Sequence, residues 1–323
     1  MRCYIDRKMG HKFQQNFNFQ GLPLDITTQI LVLAIATSDY WRTYQSLVVV
    51  SREMQALVYD TCLPFLPVML HTKKHVDSFC LLLASHGTPV GRHIHSLWFI
   101  AGIKADVERT TGLSILNACA GITHLACRIN LLSALVRQPG DLVLQKLRHL
   151  TLVEPIVPWQ LLLRQPAAHQ LFTQLTHLRV SGGTEFAKPD FCFASLSHLS
   201  FACGSLSRAF NITSRSTSPF PSAQFPVLQQ IVPSMLYNYW RSEDPKTIHA
   251  SGLAIDGRMD VLACPKKWKE ADMWENARRG GNDLWTCVCA GEFIQTSEAS
   301  ATSDSALLQI FRYYDDLGRR LSQ

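Results

Sequence analysis

No apolar run in this chain approaches the roughly 20 residues that a membrane-spanning helix needs, so no membrane partner is expected. The first twenty residues lack an apolar segment of the secretory kind and read as a disordered tail, 1–20. Ten cysteines are present, but no CxxC pair and no zinc-finger spacing. They read as small buried hydrophobes of a reduced protein, cytoplasmic or nuclear. Also missing are a Gly-rich phosphate loop, a Gly-x-Ser-x-Gly nucleophile elbow and a His-Glu-x-x-His pair. Neither a catalytic residue nor a metal or cofactor site is therefore expected. Basic residues exceed acidic ones only by 31 to 25, a net charge of +6. They occur as isolated pairs (Lys73-Lys74, Lys266-Lys267, Arg278-Arg279, Arg319-Arg320), with no clustered basic run, so no nucleic-acid partner is expected. His71 and His75, four apart, lack a third ligand and read as solvated.

What the chain does contain is a recurring frame, leucine-x-x-leucine-x-leucine. It reads Leu147-Arg-His-Leu150-Thr-Leu152, Leu175-Thr-His-Leu178-Arg-Val180 and Leu196-Ser-His-Leu199-Ser-Phe201. Looser copies precede these at Ile94–Phe99 and Ile122–Cys127, and a weaker one follows at Leu228–Pro233. Starts are 28, 25, 28, 21 and 32 residues apart. Frame and period resemble leucine-rich repeats, in which each unit supplies a short strand and a helical or irregular return. The Asn or Cys usual after the last leucine has a counterpart only in Asn130, so the resemblance implies an irregular solenoid. Helical returns are expected near 113–118, 131–136 and 159–164, a long Ser/Thr/Pro-rich loop near 205–226, and strands at 259–264 and 284–289 around a helix at 266–279.

Residues two apart share a strand face. Frame positions four and six, such as Leu150 and Leu152, therefore point into the core, and positions three and five point away from it. Position three is His in four successive frames: His124, His149, His177 and His198. With strands about 4.8 Å apart these predict a column of stacked imidazoles. Beside it, position five contributes Trp98 and Arg179. The column reads either as a stacking device between repeats or, with Trp98 and Arg179, as a concave face that binds a substrate.

Ahead of the frames, Leu22-Pro23-Leu24-Asp25-Ile26 opens a helical pattern that continues through Ile30 and Leu31. Proline suits a helix start, and Asp25 is well placed against the helix dipole. Two more helical stretches follow, near 40–51 and from Met54 to before Pro64. Residues 21–64 resemble an F-box. Its opening Leu-Pro-x-acidic-Ile and following Ile-Leu are matched at Leu22, Pro23, Asp25, Ile26, Ile30 and Leu31. Its later Leu-x-x-Val-Ser-Arg and Leu-Val are matched at Leu47, Val50, Ser51, Arg52, Leu57 and Val58, whereas Met54 stands where an aromatic is usual. The stretch from Trp274 to Trp285 is similar to the carboxy-terminal part of fungal F-box-like proteins with repeats.

The expected fold class is α/β: a short N-terminal helical F-box-like module, 21–64, followed by an irregular leucine-rich-repeat-like solenoid, 65–290, and a C-terminal capping segment, 291–323. By resemblance, the module docks a Skp-family linker through Leu22, Pro23, Ile26, Ile30, Leu31, Val50 and Met54. The repeats then present a protein substrate to a cullin–RING ubiquitin ligase, whose chemistry belongs to other subunits. The alternative is an interaction scaffold that has lost linker binding, to which Met54 points.

Overall fold

Alternation within the frames and parallel pairing between them generate the architecture. A computed structural model of the chain describes residues 21–35, 40–86, 88–101, 105–138, 144–153, 160–181, 191–203, 220–235, 245–264, 268–281 and 283–285. The expected tail and the capping segment lie outside them, as do 286–289, most of the second expected strand, and 204–219, most of the expected long loop. Among the described residues the protein is α/β, with eight parallel strands in one open sheet whose spatial order is the order of the chain. The strands are β1 (Pro67–Leu70), β2 (Ser96–Phe99), β3 (His124–Arg128), β4 (His149–Val153), β5 (His177–Ser181), β6 (His198–Cys203), β7 (Gln230–Met235) and β8 (Leu262–Ala263). Each frame's second half is a strand, and like positions pair directly, as in Leu125↔Leu150, Leu150↔Leu178 and Leu178↔Leu199.

Connections between strands carry helices, as parallel pairing requires. They include α4 (Lys73–His86), α5 (Thr88–Arg92), α6 (Ala105–Ala118), α7 (Ile129–Val136), α8 (Gln160–Leu163), α9 (Pro166–Thr173) and α10 (Pro245–Ile255). Leu97, Leu125, Leu150, Leu178 and Leu199 form one buried cluster with Ile115 and Leu116 of α6, Leu131 of α7 and Phe172 of α9. Gly91 and Gly121 lie where the packing is closest: a Cβ on either would stand 2.1 Å from a backbone carbonyl oxygen, that of Ala118 or of Arg92. Any larger residue there would push the helical layer off its neighbour.

The N-terminal helices are α1 (Leu24–Ile35), α2 (Tyr40–Val48) and α3 (Arg52–Thr61). The Ser-Arg pair marks the start of α3 for a simple reason. Ser51 is its N-cap, its hydroxyl accepting the Met54 N–H at 3.1 Å. Leu31 and Ile35 of α1, Tyr44 of α2 and Val58 of α3 belong to the same buried cluster as the sheet leucines. The helical trio and the sheet therefore share one continuous core.

Three expectations are corrected. The apolar run from Val68 to Ala84 has helical spacing in the sequence, but its first residues are β1, with Val68 and Leu70 buried and paired to Leu97 and Phe99. Four residues of alternation are too few to stand out within a longer apolar stretch. At the end of the expected loop, Phe220 and Phe225 are fully buried against Phe193 and Phe201. Finally, among the described residues the helix α11 (Glu270–Arg278) is followed by no further strand of the sheet. Leu284 and Trp285 are helical, and α11 lies over the face opposite to the helical layer, where Trp274 clusters with Trp98, Ala126 and Val153.

Leu150, at the centre of the leucine row, gives a direct check. Leu150→Ala is expected to lower unfolding free energy by about 2–5 kcal/mol, and Ser51→Ala, which removes a cap, by about 1 kcal/mol. Denaturant titrations of the two variants should rank them in that order.

Candidate functional site

The face of the sheet away from the helical layer carries the unusual chemistry. Its histidines stand in register, His124↔His149, His149↔His177 and His177↔His198. Successive ring centroids are 4.3, 4.0 and 4.2 Å apart, and the last two pairs are nearly coplanar in orientation. Three of the rings are tied by the residue before them. Thr123 Oγ1, Thr176 Oγ1 and Ser197 Oγ lie 2.8, 2.9 and 2.8 Å from Nδ1 of His124, His177 and His198. The same hydroxyls donate to the carbonyls of His95, Arg148 and Thr176. A hydroxyl has one proton, so with that proton on the carbonyl, Nδ1 must be the donor and Nε2 is left bare. Rings stacked face to face cannot converge on one ion, and among the described residues no group of three or more His, Cys, Asp or Glu is placed to hold a metal.

The column is neutral. Burial pushes His124 down to about 2, helped by the charge of Arg278 and by the repulsion that protonated rings at His177 and His95 would add. Burial likewise pushes His177 down to about 3, with His198 and Arg278 adding to it and Asp283 opposing. His149 and His198 are held below the usual histidine range for the same first reason, burial.

Beside the column, Arg179 is 5% exposed. Its Nη1 donates to Ser200 Oγ at 2.6 Å and Ser234 Oγ at 2.8 Å. Its Nε and Nη2 donate to both carboxylate oxygens of Glu270 on α11, at 2.7 and 2.8 Å. Burial would raise the Glu270 pKa, but the Arg179 charge and bonds from Arg179, Trp268 and Ser181 hold it below the ordinary carboxylate range. Trp98, 3% exposed, packs against Trp274 at 5.5 Å between centroids. Trp285 stands edge-on to both His177 and His198 at 5.4 Å. A cleft of about 50 Å³ remains between the sheet and α11, lined by His149, His177, Met273, Arg278 and Asp283 among others.

No family model matches the chain, and no curated protein does either.

The side chains expected to share a face, His124, His149, His177, His198, Trp98 and Arg179, come together; α11 buries Trp98 and Arg179, and the four histidines beside it and Trp285 are half-buried. Glu270 and Trp274, the covering residues, carry no sequence signal for where their helix docks. The hydroxyl before three of the histidines does have one: Thr-His-Leu, Thr-His-Leu and Ser-His-Leu.

The other predicted set lies on the N-terminal helices. Pro23, Ile26, Ile30 and Val50 are exposed, and Leu22 is half-buried. Leu31, at i+1 from Ile30, turns away from that face into the core. Met54 is half-buried against the same core. Among the described residues no helix is long and apolar enough to cross a membrane.

Acid should weaken this structure through the histidines. Unfolded histidine takes up a proton near pH 6.5, whereas folded His177 does so only near 3. Between those values the unfolded state binds more protons, so stability falls as pH falls. Melting temperatures recorded from pH 7.5 to 4 should drop steeply below about 6.5, and the drop should be shallower in His149→Phe, which keeps a stacking ring without a titrating nitrogen.

Proposed function

We propose that the protein is a substrate-recognition adaptor of a cullin–RING ubiquitin ligase. In this reading α1–α3 form an F-box-like module that docks a Skp-family linker, and the sheet with its helices is an irregular leucine-rich-repeat-like solenoid that binds a protein substrate. The chain performs no catalytic step itself.

The observation that carries the proposal is apolar surface where the motif lies. Leu24 is 67% exposed, Val49 81% and Val50 66%, with Ile26, Ile30 and Leu33 about two-fifths exposed. On α1, Ile26, Ile30 and Leu33 follow one another at helical spacing, so they line a single stripe. The opposite stripe, Leu31 and Ile35, is in the core. A helix apolar on both faces fits a module that packs on its own protein with one face and on a partner with the other. Met54 faces inward, so the missing aromatic bears first on the module's internal packing. The parallel frames at a period of 21 to 32 residues support the solenoid half of the reading.

Capture of a Skp-family linker decides between adaptor and scaffold. Purified wild-type chain should retain the linker in a pull-down. Ile26→Asp with Ile30→Asp should reduce retention at least tenfold while the melting temperature falls less than in Leu150→Ala, since both side chains lie at the surface and outside the buried core. Wild-type chain that retains no linker leaves the scaffold reading in place.

A further inference from the structure

Within residues 268–281, every backbone hydrogen bond described stays inside the segment, such as Met273 N–H to Lys269 O and Gly281 N–H to Asn276 O. The strands beneath are joined to each other by their backbones. The described contacts between α11 and the body beneath it are made by side chains: Glu270 on Arg179, Trp274 on Trp98, and at its far end Glu275, which accepts from Tyr40 Oη at 2.7 Å. Lifting α11 breaks no described backbone hydrogen bond to the sheet.

The receptor, in contrast, is made by the sheet. Ser200 donates its own proton to the Val232 carbonyl at 2.6 Å and Ser234 to that of Phe201 at 3.3 Å. Both hydroxyl oxygens are therefore fixed as acceptors for Arg179 Nη1, whether or not α11 is present. The free edge of the guanidinium, Nε and Nη2, is left pointing at one place, spaced for the two oxygens of a carboxylate. Four residues further along α11, on the same helix face, Trp274 meets Trp98.

The fit is imperfect. Trp98 Nε1, packed under Trp274, and Arg278 Nε, at the end of α11 itself, are both buried without a hydrogen-bond partner. The cleft of about 50 Å³ lies here too. Buried orphan donors and unfilled space are standing costs. A segment that filled the cleft and offered Trp98 Nε1 an acceptor would outbid α11, whose own Arg278 would regain water on release.

We infer that α11 is a displaceable intramolecular ligand, and that the face beneath it receives a partner segment bearing a carboxylate and an aromatic ring one helical turn apart, i and i+4. This deepens the adaptor reading by naming its substrate class, and it rests on that reading for the sheet face being the substrate side. Linker docking is not involved. The test is run without linker, so failure of either leaves the other to be judged separately.

The probe is a fluorescent peptide with the sequence of residues 268–281. Full-length Glu270→Gln/Trp274→Ala, in which both anchors are gone, should bind it at least tenfold tighter than the wild type does. Adding Arg179→Ala to that variant should return binding to the wild-type level, and a peptide lacking the carboxylate and the ring should not bind. Equal binding by wild type and double variant, or binding indifferent to Arg179, overturns the proposal. Hydrogen exchange on the wild-type chain gives a second measurement that no variant's misfolding can obscure. The amides of α11 should exchange through an opening at least tenfold more populated than the one that exposes β3–β6. Exchange of α11 only through global unfolding makes it a fixed part of the fold and ends the inference.

Discussion

Successive strands pair in parallel with like frame positions side by side, and that register decides what lies on each face. A slip of one residue anywhere would turn a leucine row outward and a histidine inward. Because the pairing runs unbroken through Leu125, Leu150, Leu178 and Leu199, the apolar row is continuous and the helices have one surface to pack on. The same register stacks the imidazoles, since residues that pair directly share a side. Core and candidate site are two consequences of one alignment.

The buried ion pair on the other face is better understood as a locator than as a source of stability. Two desolvated charges regain in attraction roughly what they lose in hydration, so the net gain over an apolar pair is small or negative. A guanidinium whose orientation is fixed by two hydroxyls nevertheless accepts a carboxylate in only one place. Arg179 thereby sets where along the sheet Glu270 sits, and Trp98 sets the direction in which the helix runs from it. Tyr40 completes the line at the N-terminal helices, where Arg279 also stacks over its ring at 4.7 Å.

Much of this was legible in the residues, and the limits have physical causes. Strands β2 to β7 follow the frames because alternation and a repeat period are local signals. Repetition is also what made the histidine column readable: one Thr-His-Leu says nothing, but four frames in step place four rings. Strand β1 escaped because its four residues open an apolar stretch whose remainder is helical, and only pairing with β2 makes them a strand. The covering by α11 escaped for a different reason. Glu270 and Trp274 are ordinary residues for a helix, and their partners Arg179 and Trp98 lie 91 and 176 positions earlier, at distances no periodicity spans. On α1, the pattern told which residues were apolar but not which of two apolar stripes was spoken for; Leu31 and Ile30 are adjacent in sequence and opposite in fate.

Strands that pair only with their neighbours in the chain have a mechanical consequence. Such a sheet is a stack of nearest-neighbour couplings, and pulled from an end it would peel one strand at a time, each step releasing only the next. Helix α11 interrupts that. By touching β2 through Trp98, β5 through Arg179 and α2 through Tyr40, it lies across the stack like a splint. With it seated, the middle strands resist shear together; with it lifted, the same strands become a chain of independent joints.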